Sequence, residues 1–269
     1  MKIYERDYTI LTEEEKRDWE SVKQREIIYF NGKPSSIRHN LFREYPKAAR
    51  HFLSLFPNNY LDIEDLQNEK SLNELNETYL LAIKKPDVNE RALMQFIKKN
   101  KAYFIIASIL KGNYNFGHHD AFNIPEFMLG NSYKVDYLLI GKSSGGYEFV
   151  FVELEKPYGN ITIGNGELGD VFRKGLKQIG DWEQWLEANY MSLNETYSRY
   201  KHPDMILGDE FRNYDRTRMH FAVVAGRRAD FIDKTYRLKR KMKEDQKITL
   251  FHYDNLYDST RKIIGQPSY

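Results

Sequence analysis

The sequence predicts an α/β protein: a mixed central sheet flanked by helices, set behind a mainly helical amino-terminal region. Two observations carry this. Between Leu41 and Asn100 apolar residues recur at three- and four-residue steps. After Asn100 the period changes to short runs rich in β-branched and aromatic residues, which then alternate with amphipathic stretches.

Residues 1–40 are mixed and tyrosine-rich, and read as an irregular or small α+β start. NLFREYPKAARHFLSLF, IEDLQNEKSLNELNETYLLAIKK and VNERALMQFIKKN are the helical stretches, separated by Pro57-Asn58-Asn59 and Pro86-Asp87. AFNIPEFML is a weaker strand, followed by VDYLLI (135–140) and YEFVFVEL (147–154), which GKSSGG joins as a β-hairpin. Leu168 to Tyr190 returns to helical spacing, with Val171, Leu176, Ile179, Trp182 and Leu186 as its apolar stripe. A strand MHFAVVAG (219–226), a basic helix around ADFIDKTYRLKRKMKED, a strand KITLFHY and a helix from Asp254 complete the chain. The order from about residue 88 is therefore α-β-β-β-α-β-α-β-α. It divides the chain into an accessory region, 1–85, and a main domain, 86–269.

The chain has 269 residues, of which 41% are hydrophobic, enough for one large domain with an accessory region. It has no cysteine, which excludes disulfides and thiolate zinc clusters and suits a reducing cytoplasm. No apolar run approaches membrane-spanning or signal-peptide length, so a soluble protein without a membrane partner is expected. The net charge of +2 predicts nothing about nucleic acid by itself, and the local distribution has to decide.

Residues two apart on a strand share a face, so Glu153 and Glu155 point the same way and Lys156 the other. Asp136 opens the preceding hairpin strand, and antiparallel pairing sets that strand's start beside the end of the next. Three carboxylates can therefore converge at one edge of the sheet. Held that close, they repel unless protonated or bridged by a cation, and hard oxygen ligands suit Mg²⁺ or Mn²⁺. The other reading is that Glu153 and Glu155 mark where the strand emerges into solvent. Asp136 argues against it, because Val135, Tyr137, Leu138 and Leu139 surround it with apolar neighbours. On the next helix Gln178 and Trp182 lie one turn apart on one face, an amide beside an aromatic.

Taken in order, Asp136 in KVDYLLI, Glu153 and Glu155 in VELEKP, then Gln178 and Trp182 resemble the D…(E/D)-x-K…Q pattern of the PD-(D/E)XK nuclease superfamily. The series NERALMQFIKKN, VDYLLI, VELEKP, KQIGDW, VVAGRR and FHYDNL is similar to Shedu, a bacterial anti-phage nuclease family, over residues 86–264. The resemblance implies a restriction-endonuclease-like core and a Mg²⁺- or Mn²⁺-dependent endonuclease acting on DNA, in the cytoplasm, as a homo-oligomer. It also implies that Asp136 and Glu153 ligate the metal with the Leu154 carbonyl, that Glu90 is an upstream acid for indirect coordination, and that Gln178 is catalytic. Glu155 departs from the pattern, since it fills the slot usually held by lysine, and Lys156 follows one residue later. Either Glu155 orients the attacking water, or the strand twists before Pro157 and Lys156 does so. A catalytically degenerate nucleic-acid-binding module and a restriction or repair nuclease outside Shedu are the alternatives.

Basic residues provide a DNA-facing candidate surface. Arg227 and Arg228 follow a strand, and Arg237, Lys239, Arg240, Lys241 and Lys243 crowd the next helix, with Trp182 as an aromatic contact. For the helix a solvated face is the alternative, and for Glu90 a first-turn acid favoured by the helix dipole. His118-His119-Asp120 reads as a polar loop and Asp254 as an N-cap.

Overall fold

The computed structural model describes residues 1–41 and 44–269. In chain order the elements are α1 (Glu13–Arg25), β1 (Ile27–Phe30), β2 (Lys33–Arg38), α2 (Pro46–Leu53), α3 (Glu69–Ile83), α4 (Glu90–Lys99), α5 (Tyr103–Ala107), β3 (Asp120–Leu129), β4 (Tyr133–Ser143), β5 (Gly146–Leu154), α6 (Asp170–Asn189), α7 (Leu193–Ser198), β6 (Met219–Val224), α8 (Asp233–Gln246), β7 (Ile248–Phe251) and α9 (Tyr253–Ile263). The order expected from residue 88 onward is found, with two short helices added. The predicted helical run over Phe42 and Arg43 lies outside the described residues.

Five strands form one mixed sheet in the order β3-β4-β5-β6-β7. The first three are an antiparallel meander, and β5, β6 and β7 are parallel. Antiparallel strands joined by GKSSGG need only a tight turn, whereas each parallel step needs a crossover, and α6 and α8 lie in those crossovers. Leu154, Val152, Val224 and Tyr137 belong to one core with α3, α4, α5 and α9. Phe149, Phe151, Phe221 and Val223 belong to the other, with α6 and α7.

The amino-terminal region begins with α1 and the β1–β2 hairpin, in agreement with a small α+β start. It is stitched to the large sheet. Tyr60 bridges to Phe122 on β3, Leu61 N–H donates to the carbonyl of Ala121 at 2.8 Å, and Asn123 N–H donates to that of Asn59 at 2.9 Å. Tyr79 and Ile83 of α3 are buried in the same core as Leu256 and Ile263 of α9.

One irregularity positions the site. In β4, Leu138 and Ile140 enter the α6-side core two residues apart, but so does Val135, three residues before Leu138, so the alternation slips by one at Asp136. The facing strand slips at the same level, between Ile124 and Phe127, where Glu126 has a φ of 51°. Such slips re-aim side chains and end pairing. The β4–β5 ladder stops at Tyr137 opposite Val152, although both strands continue.

Candidate functional site: an acidic cavity where two strands part

Where β4 leaves β5, Asp136 takes over the pairing. Its Oδ2 accepts the backbone N–H of Leu154 at 2.8 Å, a donor that the ladder no longer satisfies. The other edge of β5 stays bonded: Leu154 pairs with Val224, and Glu155 N–H donates to the Val224 carbonyl at 2.9 Å. The opening is an open cavity of about 570 Å³ whose lining includes Glu90, Asp136, Glu153, Leu154 and Lys174.

The site is electrostatically loaded. Burial raises the pKa of Asp136 above the carboxylate range, although the Leu154 N–H opposes it, and Glu155 and Glu90 push it further up. Burial likewise raises that of Glu153, and Asp136, Glu155 and Glu90 add to the rise. Oε2 of Glu153 and Oε2 of Glu90 are buried without any hydrogen-bond donor among the described residues. Two such oxygens facing one cavity, beside a third acid, fit a hard divalent cation in charge and donor type. Among the described residues, though, no three His, Cys, Asp or Glu side chains are drawn close enough to grip an ion.

Glu155 is buried, as its place two residues after Glu153 predicts, but it is not free. Lys174 on α6 donates from Nζ to both of its oxygens, at 2.9 and 2.8 Å. Burial raises the Glu155 pKa, and the Lys174 ammonium opposes that rise. Its backbone is held too: the hydroxyl of Tyr253 donates to its carbonyl at 2.7 Å. Gly175 allows α6 to come this near, since a Cβ there would stand 2.8 Å from Val223 Cγ1 and 3.2 Å from Glu155 Cγ. Lys174 and Tyr253 were missed in the sequence. KGLKQ held a lysine one turn before the expected Gln178, and FHYDNL held the tyrosine, but neither motif says what it touches.

Other expected residues are placed elsewhere. Lys156 is exposed, gives its carbonyl to Gly226 N–H at 3.1 Å and does not line the cavity. Gln178 is half-buried on α6, also outside the lining. Trp182, expected to contact nucleic acid, is fully buried in the core between α6 and the sheet, where the apolar stripe carries it.

The basic surface also needs correction. Arg227 is a structural bolt: Nε and Nη2 donate to the two oxygens of Asp254 at 3.0 and 2.6 Å, and Nη1 to the Ile83 carbonyl at 2.6 Å and the Tyr158 hydroxyl at 2.9 Å. Arg228 pairs with Asp258 and gives its N–H to Asp254 at 2.8 Å. Asp254 is thus not the N-cap of α9. That is His252, whose ring accepts from Asn255 N–H. Lys239 is half-buried with Nζ 5.0 Å from the Phe251 ring centre, and desolvation lowers its pKa to about 8. Arg240 stays exposed. The cations on the cavity itself are Arg91, Lys98, Lys134 and Lys174, of which Arg91 and Lys98 form no ion pair among the described residues.

The family model for "Shedu protein SduA, C-terminal" matches residues 87–257, more than half of the chain. The chain belongs to the Shedu family. The match takes in Glu90, Glu126, Asp136 and Glu153, so every acid of the cavity lining lies in the Shedu segment, as do Glu155, Lys174 and Tyr253. No curated protein matches the chain. Among the described residues no helix is long and apolar enough to cross a membrane.

Proposed function

We propose that this Shedu protein is a metal-dependent endonuclease that hydrolyses DNA phosphodiester bonds in defence against phage, with a PD-(D/E)XK type of site. One observation carries the reading. Asp136 and Glu153, from two strands that part, share an open cavity with Glu90, and buried oxygens of Glu153 and Glu90 there have no donor among the described residues. Asp136, Glu153 and Glu90 would hold Mg²⁺ or Mn²⁺, which when bound supplies positive charge to the phosphate and lowers the pKa of water.

The chain's own groups do the rest. The Leu154 N–H fixes the Asp136 carboxylate at the strand end. Arg91 and Lys98 on the rim of the cavity attract the phosphate backbone. Protons on the crowded acids leave as a cation enters, so metal binding is favoured by rising pH.

Purified protein incubated with linear and circular DNA in Mg²⁺ or Mn²⁺ tests this, beside Asp136→Asn and Glu153→Gln. The parent is expected to cut and both variants to fail while folded; full cleavage by both variants would sink the assignment. A second reading, a Shedu module that binds nucleic acid without hydrolysing it, is favoured by the absence of a closed three-acid grip among the described residues. Binding without cleavage in every metal would select it. Homo-oligomeric assembly belongs to the same proposal and is read from light scattering of the purified chain.

A further inference from the structure

We propose that the Lys174 ammonium contacts the substrate phosphate at this cavity, and that Glu155 is the positioning residue that holds it there. The proposal rests on the nuclease reading and reverses the roles that the order of residues in VELEKP suggests. An ammonium has three donors. Two of Lys174's are spent on the two oxygens of Glu155, and the side chain is 65% exposed while that of Glu155 is 2% exposed. One donor is therefore left at the mouth of the cavity, beside Asp136 and Glu153.

The carboxylate that aims it is rigid. Its residue is tied at N–H to Val224 and at C=O to Tyr253, and its side-chain stem lies against Gly175, the next residue along from Lys174. Lys156, the sequence neighbour, is exposed and absent from the cavity wall. A lysine brought by α6 thus occupies the space that a lysine at position 155 would reach from the strand.

Four variants test this: Lys174→Gln, Lys156→Gln, Glu155→Gln/Lys174→Gln and Glu155→Lys/Lys174→Gln. Lys174→Gln is expected to lose about a hundredfold in cleavage, at least ten times the loss at Lys156, by the order of effect a single charged contact supplies. It leaves Glu155 buried and unpaired, so the doubly neutral variant guards against a folding artefact; it should melt like the parent and stay inactive. Returning the lysine to the strand in Glu155→Lys/Lys174→Gln should recover most of the cleavage, which a merely structural ion pair would not do. DNA affinity in EDTA gives a readout apart from cleavage: its dependence on log salt should flatten by about one for Lys174→Gln.

Parent-like cleavage by folded Lys174→Gln, or no recovery in a folded swap, overturns the proposal and leaves the nuclease reading standing. A parent that cuts no DNA overturns the nuclease reading, and an unchanged salt slope then overturns the phosphate contact as well. A flattened slope in that case supports the contact in a binding module.

Discussion

The hydroxyl of Tyr253, the first residue of α9, donates to the carbonyl oxygen of Glu155 just past the end of β5, 98 residues away in sequence, at 2.7 Å. Both residues are buried, so the bond has no water to replace it. Tyr253→Phe is expected to cost about 1–3 kcal/mol, seen as a lower denaturant midpoint with an unchanged m-value, and to lower cleavage by loosening Glu155. A midpoint equal to the parent's would mean that the carbonyl finds another donor.

Glu153 predicts a pH dependence. Its folded pKa is raised, by burial first and then by Asp136, so the folded protein keeps a proton that the unfolded chain releases. The sign is set: this contribution is fully present below the ordinary glutamate range and is lost as pH rises through the raised value. In EDTA, Glu153→Gln should therefore gain stability over the parent increasingly from about pH 4 upward. A pH-independent difference in melting temperature would refute the assignment of the shift to this group.

Arg227 and the pair Arg91 and Lys98 should behave oppositely. Removing Arg227 from its pair with Asp254, both side chains 15% exposed, leaves Asp254 Oδ1 without its donor, while Oδ2 keeps the Arg228 N–H and the Ile83 carbonyl keeps the Tyr158 hydroxyl, so Arg227→Ala is expected to lose about 2–4 kcal/mol. Arg91→Ala/Lys98→Ala should leave stability alone, weaken DNA binding and flatten its salt slope by about two. Chemical denaturation and binding titrations over a salt series, run on both proteins, separate structural from phosphate-facing cations.

Gly175→Ala tests the approach of α6. The new Cβ meets Val223 and the Glu155 stem at 2.8 and 3.2 Å, and the helix must shift away from the sheet. A loss of about 1–3 kcal/mol is expected, together with reduced cleavage through displacement of Lys174. Retention of both stability and activity would show that the helix yields without moving the lysine.

Much of the sheet was legible because its strands advertise themselves: YEFVFVEL and VDYLLI are β-branched or aromatic, and GKSSGG is a turn. The nearness of Asp136 to Glu153 followed from antiparallel pairing alone. What was not legible lies in partnerships across the fold. YFIIA, which forms α5, is buried on every side and so has no period to read. Trp182 looked like an exposed aromatic partner of Gln178, yet the same stripe that predicts α6 buries it. Arg227 looked like a free cation because Asp254 lies 27 residues on, and no local pattern joins the two. The lysine that pairs with Glu155 is Lys174, 19 residues away, and not the adjacent Lys156.

The stitching of residues 59–61 to β3 has a consequence for shortened forms of the chain. A fragment trimmed to the family-matched residues 87–257 would bare the outer edge of β3, a ten-residue strand with unpaired backbone groups, would strip α3 from the core and would cut α9 after Tyr257, taking Ile263 with it. Open strand edges recruit other strands. Such a fragment is expected to clump during expression, so a poor yield from it would reflect a missing selvedge along the sheet and a severed closing helix, and say nothing against Asp136 and Glu153 on the next two strands.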